Sequence, residues 1–142
     1  MDAMLLADRA WSALVRHYAM HRCFMCGKMA DDAHHWWFIR SIKKYRWNIK
    51  NGVALCRICH QKIEPDPRPL YDAIKERDPE KWEWAMQVPP LRQEPIANEA
   101  IWFLAKSLQR TARKEGITLD LKLKLAHAAG DKRGRYPGKA RS

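Results

Sequence analysis

Two Cys-x-x-Cys pairs, Cys23/Cys26 and Cys56/Cys59, constrain this chain more than any other feature. A structural zinc site needs four soft ligands at tetrahedral corners, and each Cys-x-x-Cys turn points two thiolates at one ion. The two turns must therefore meet in space, which closes the segment between them into a loop. Gly27 follows Cys26 and supplies the tight turn of the first knuckle. The compartment decides between zinc and disulfides. The N-terminus MDAMLLADRAW carries acids where a secretory leader carries bases, and no apolar run approaches the ~18 to 20 residues of a membrane span. A soluble, cytoplasmic protein with a four-cysteine zinc is the expectation.

The residues between the knuckles, 27–55, number 29, longer than the ~15 to 20 of a simple zinc ribbon. They include His34-His35 and Asn51, and His60 directly follows the last cysteine. Adjacent histidines on a strand point to opposite faces, so one can ligate a metal while the other faces substrate. His60 and Glu64 stand one helical turn apart and share a helix face. Each has a plainer explanation: a lone histidine is commonly structural, Asn51-Gly52 suits a type I′ hairpin turn, and Glu64 opens an acidic segment.

Charge follows the same layout. The formal net charge is +11, from 27 Lys and Arg against 16 Asp and Glu. Residues 33–63 contain no acid, while Arg40, Lys43, Lys44, Arg46, Lys50, Arg57 and Lys62 lie there. Residues 64–99 carry nine acids against five bases, and residues 100–142 eleven bases against three acids. Two basic clusters, one interleaved with Trp36, Trp37, Tyr45 and Trp47, point to nucleic acid, with Arg40, Lys43, Lys44, Arg46, Lys50 and Arg57 as phosphate contacts. The tryptophans either stack on unpaired bases or form core around the zinc. A membrane surface is disfavoured because no continuous basic amphipathic helix is present. A hydrophobic fraction of 46% excludes a disordered basic tail.

Helices flank the cysteine module. Leu6, Ala10, Trp11, Leu14, Val15 and Tyr18 predict an amphipathic helix over 3–21 with Asp2 as N-cap, packing on the metal module. Seven of the eight prolines fall between 65 and 95. Asp66-Pro67 and Asp78-Pro79 predict short helices near 67–77 and 79–87. Ala97, Ile101, Leu104, Leu108 and Ala112 predict a longer one over 95–115, stopped by Gly116. From Ile117 to Leu125 strict alternation favours a strand, whereas Ala126–Ala129 suits a helix end. An exposed edge there would serve a homodimer. The resulting division is a helix over 1–22, a zinc module over 23–64, a helical extension over 65–129 and a basic tail over 130–142.

The pattern C-x2-C, H-H, N-G-V-A-L-C-x2-C-H, running from Cys23 to Glu64 over 42 of 142 residues, resembles the HNH endonuclease module, or His-Me finger. The resemblance implies an α+β, mainly helical chain built on a small zinc-braced ββα-metal core with flanking helices. It implies His35 as the base that activates water, Asn51 as the residue that orients it, and His34 and His60 as ligands of a catalytic divalent cation. Glu64 stands where some members have a third, histidine ligand, and a carboxylate there tilts the cation toward Mg or Mn. The stretch HHWWFIRSIKKYRWNIKNGVALCRICH is similar to phage-type HNH proteins, including those linked to recombination and branched DNA, and implies host-cell cytoplasm if the chain is phage-encoded. The expected activity is metal-dependent phosphodiester hydrolysis. The alternative is a non-catalytic zinc-finger DNA-binding or adaptor protein that keeps the module without its chemistry.

Overall fold

The Asp2 carboxylate accepts the Met4 N–H at 3.1 Å and starts α1, Ala3–Tyr18, where the sequence places its cap. The structure, a computed structural model, describes residues 2–88 and 96–119. Leu6, Ala7, Ala10, Leu14 and Val15 form the buried stripe of α1, and α6, Asn98–Lys114, packs along it through Ile101, Ala105, Leu108 and Ala112. Alanines on both stripes let the two axes approach closely. Gly116, at φ +78°, follows α6 as expected of a left-handed stop.

Between the knuckles runs a two-stranded antiparallel sheet of β1, Asp32–His35, and β2, Gly52–Leu55. The register pairs Asp32 with Leu55, Ala33 with Ala54, His34 with Val53 and His35 with Gly52. Paired residues share a face and neighbours alternate. Ala33 and Ala54 therefore join the α1–α6 core, while Val53 and Leu55 join a second core with Cys23, Trp36, Cys56, Ile63, Leu70, Ile74 and Ala85. That second core is roofed by α3, Arg57–Ile63, α4, Arg68–Arg77, and α5, Pro79–Gln87. The chain is thus mainly helical, with six helices and one small sheet among the described residues. None of these helices is long and apolar enough to cross a membrane.

Several boundaries differ from expectation for local reasons. Helix α4 starts one residue late because Pro67 itself takes the cap position with helical backbone; the Asp66 carboxylate accepts from Arg68 instead. Asp78 does cap α5, accepting the Lys81 N–H. The segment joining the strands holds a four-residue helix, α2 (Lys43–Arg46), and a 3-10 turn, Ile49–Asn51, so Asn51-Gly52 closes a long connection rather than a two-residue hairpin. Residues 117–119 adopt no regular structure; the remainder of the alternating segment, its proposed dimer edge and the basic tail lie outside the described residues.

Gly52 explains how closely α1 lies on the sheet. A Cβ there would stand 2.5 Å from Val15 Cγ2 and 2.8 Å from Trp11 Cζ2. Val15 is β-branched and stiff, and Trp11 is held by a ring stack, so neither yields easily. Gly52→Ala is expected to cost about 1–3 kcal/mol by overpacking, read as a lower urea midpoint with an unchanged slope.

Candidate metal and catalytic site

The two knuckles close as the spacing predicts. The four cysteine sulfurs lie within 4.8 Å of one another. Cys26 Sγ is 3.7 Å from Cys56 Sγ, and sulfurs bound ~2.3 Å from a tetrahedral zinc stand about 3.8 Å apart. Each knuckle turns its own amide inward: Cys26 N–H donates to Cys23 Sγ at 3.5 Å and Cys59 N–H to Cys56 Sγ at 3.4 Å. Gly27 takes φ +80° to complete the first turn. Burial opposes ionisation of Cys23, but the N–H groups aimed at its sulfur outweigh it and bring the thiol down to about 7. Cys59, desolvated and crowded by the other sulfurs, is pushed up. A cation resolves this opposition by taking all four as thiolates. The four cysteines lie close enough together that they could hold a zinc ion.

A second cluster forms on the α3 side of the sheet. The ligand atoms of His34, His60 and Glu64 lie within 4.8 Å of one another. His34 Nδ1 and His60 Nε2 stand 3.1 Å apart and share a proton, and neighbouring ligands of a cation at ~2.1 Å are about 3 Å apart. His60 Nδ1–H donates to Asp32 Oδ2 at 3.0 Å, which leaves its Nε2 lone pair aimed at His34. Arg57 in turn donates to both Asp32 oxygens at 3.2 Å. This carboxylate–imidazole pair is the kind that fixes the tautomer of a metal-ligating histidine. Asp32 was not among the residues read from sequence. The signal was available, since Asp32 precedes His34 by two on one strand and so shares its face.

His35 faces the other way. Its ring stacks on Trp11 with centroids 4.1 Å apart and planes within 8°, and its Nε2–H donates to the Arg46 carbonyl at 2.8 Å. This bond fixes the tautomer and leaves Nδ1 as the acceptor nitrogen, without a hydrogen-bond partner among the described residues. The expectation that Asn51 orients His35 is corrected here: Asn51 makes no bond to it. Asn51 is fully buried and accepts the Trp37 and Phe38 N–H groups while donating to the Phe38 and Tyr45 carbonyls. It pins the β1–β2 connection and so acts on His35 only through the backbone that carries Arg46.

Burial pushes the His35 imidazole down to about 4, against the opposing pull of the Arg46 carbonyl and the Asp8 carboxylate. The unfolded chain takes up a proton near its ordinary value of 6.5. Folding stability is therefore complete above that value and declines as pH falls toward the folded one, by about 2.5 kcal/mol between pH 7 and ~4.5. Cysteine protonation weakens wild type and His35→Gln alike. The difference between their urea stabilities should shrink by that amount on acidification; parallel pH profiles would contradict the burial of a neutral His35.

The expected DNA contacts divide. Arg46 is only 6% exposed and clamps Asp8, Nε to Oδ1 at 3.0 Å and Nη2 to Oδ2 at 2.7 Å. A guanidinium this buried and already neutralised by a carboxylate is poorly placed to meet a phosphate, and that expectation is withdrawn. Arg40 also reaches Asp8, at 3.5 Å, and Arg57 is engaged by Asp32. Lys44 and Lys50 are exposed and Lys43 is half-buried. Trp36 and Trp47 are core, their indole N–H groups donating to the Lys50 carbonyl and to Asp8. Trp37 packs against Trp36, Tyr71 and Trp82.

Comparison with protein-family models, with curated proteins and with solved structures returned no match for this chain.

Proposed function

We propose that this chain is a metal-dependent DNA endonuclease of the HNH type, with a structural zinc at Cys23, Cys26, Cys56 and Cys59 and a catalytic Mg or Mn between His34, His60 and Glu64. The observation that carries this reading is the convergence of two imidazole nitrogens and a carboxylate on one point, with Asp32 fixing His60 from behind. A zinc-bracing role needs only the cysteines, and nothing in the packing of the second core requires these three groups to meet. His34, His60 and Glu64 would hold a divalent cation, whose positive charge would favour the build-up of negative charge on the phosphodiester and its leaving 3′ oxygen. His35, next in sequence to His34, offers Nδ1 as general base for water, its Nε2–H anchored on the Arg46 carbonyl. Asn51 is a positioning residue that holds the loop bearing that carbonyl. Phosphodiester bonds in branched or recombination intermediates are the proposed substrates, gripped by Lys43, Lys44, Lys50 and the C-terminal bases.

The test is cleavage of supercoiled plasmid, linear duplex, nicked duplex and four-way junction, side by side, in Mg and in Mn. Wild type is expected to cut at least one of them, and His35→Ala to cut far more slowly while binding the same DNA. Wild-type protein that binds DNA but leaves every substrate intact in both metals would replace the nuclease with the zinc-finger adaptor.

A further inference from the structure

Arg9, on α1, carries its Nε and Nη2 atoms buried without a hydrogen-bond partner among the described residues. Burying charged donors without an acceptor is unfavourable, and native folds rarely do it unless the acceptor comes from outside. Arg16 lies two turns further along the same stripe, with Ser12 between them. Its Nε donates to the Ser12 carbonyl at 3.2 Å, leaving the rest of the guanidinium uncommitted to that bond. Burial lowers the proton affinity of Arg16, the Asp32 carboxylate of β1 raises it and the Arg9 guanidinium lowers it, so the two arginines and Asp32 lie within electrostatic reach. That carboxylate already serves His60 and Arg57. On the neighbouring stripe Asp8 neutralises Arg40 and Arg46; Arg9 forms no such pair among the described residues. The stack of Trp11 on His35 and the contact of Val15 with Gly52 fix this stretch of α1 against the strands that hold His34 and His35.

We infer that Arg9 and Arg16 form an oxyanion site on α1 that holds a backbone phosphate of bound DNA. The planar guanidinium fork matches a phosphate in geometry and charge, and an incoming phosphate oxygen gives Arg9 the acceptors it lacks. The identity of the anion rests on the nuclease reading.

Binding of a short fluorescein-labelled duplex, measured by anisotropy over a salt series with Ca in place of Mg, tests the site. Arg9→Gln and Arg16→Gln are each expected to weaken binding about tenfold and to make the salt dependence shallower by about one phosphate contact. Arg9→Lys, which keeps the charge without the fork, should recover part of the loss. Lys75→Gln, removing an exposed charge from α4, should leave binding within about twofold. In urea, Arg9→Gln should be no less stable than wild type, because the buried Arg9 Nε and Nη2 have no hydrogen-bond partner to lose among the described residues, and inorganic phosphate should raise the melting temperature of wild type but not of Arg9→Gln. Wild-type affinity and salt slope in Arg9→Gln, with DNA binding by the parent intact, would overturn the site and leave the nuclease reading standing. Failure of the wild type itself to bind DNA would remove that reading and the site with it.

Discussion

Cys56→Ser is expected to lose zinc and to unfold the second half of the core. Cys56 has three roles at once: its sulfur is one corner of the four-cysteine cluster, its side chain caps α3 by accepting the Cys59 N–H, and it packs among Val53, Leu55, Ile63 and Leu70. Serine keeps a cap but offers a poor zinc ligand. Apparent zinc-binding energies of ~10–16 kcal/mol in small metal modules match or exceed the ~5–15 kcal/mol of a whole domain's stability. Metal analysis of wild type should find about one tightly held zinc per chain, and Cys56→Ser should hold none. Hydrogen exchange should then show α3 and both strands losing protection first, with α1 and α6 retaining some through Leu14, Ile101 and Leu108. A wild type without zinc, or a Cys56→Ser protein with an unchanged urea midpoint, would contradict the role given to the knuckles.

The second large effect is expected at His60. His60→Ala removes a candidate ligand and takes the imidazole partner from Asp32. Loss of about 4 kcal/mol of transition-state stabilisation corresponds to cleavage slower by about a thousandfold. Zinc content should stay at the wild-type value, because the cysteine cluster is built without His60. Asp32→Asn should act differently: a weaker acceptor loosens the His60 tautomer and lowers affinity for the cation about 10- to 100-fold, so raised Mn should restore its rate. No such rescue is expected of His60→Ala. Equal rates in wild type and His60→Ala would place the chemistry elsewhere, and Mn-independent loss in Asp32→Asn would mean that Asp32 acts only through the fold.

Much of this arrangement was legible in the sequence because it is local. Asp2, Asp78, Gly27 and Gly116 announce caps and turns through backbone rules that act within a few residues, and their elements lie where those rules place them. The cysteine spacing gave the closure of the 23–59 loop, since four ligands of one ion must meet. Helical spacing put His60 and Glu64 on one face and strand alternation split His34 from His35, while the grouping of His34 with His60 and Glu64 was implied by the resemblance to the HNH module. What escaped depends on partners distant in sequence. The acid-free stretch from 33 to 63 looked like a uniformly positive surface, yet Asp8 from α1 and Asp32 from β1 neutralise Arg46, Arg40 and Arg57. Asn51 was assigned to His35 across a gap that the folded connection does not close, and the Arg46 backbone carbonyl, which no side-chain pattern advertises, takes that place. Arg9 escaped for the same reason: that its buried Nε and Nη2 find no acceptor among the described residues is a property of three dimensions.

The most direct measurement is the anomalous scattering of Mn in crystals of the zinc-loaded protein, with data collected on either side of the Mn edge. A Mn peak bounded by His34, His60 and Glu64, separate from a zinc peak among the four cysteines and lost in His60→Ala, is the predicted result. Zinc among the cysteines with no Mn between the histidines at saturating concentration would contradict a catalytic centre there.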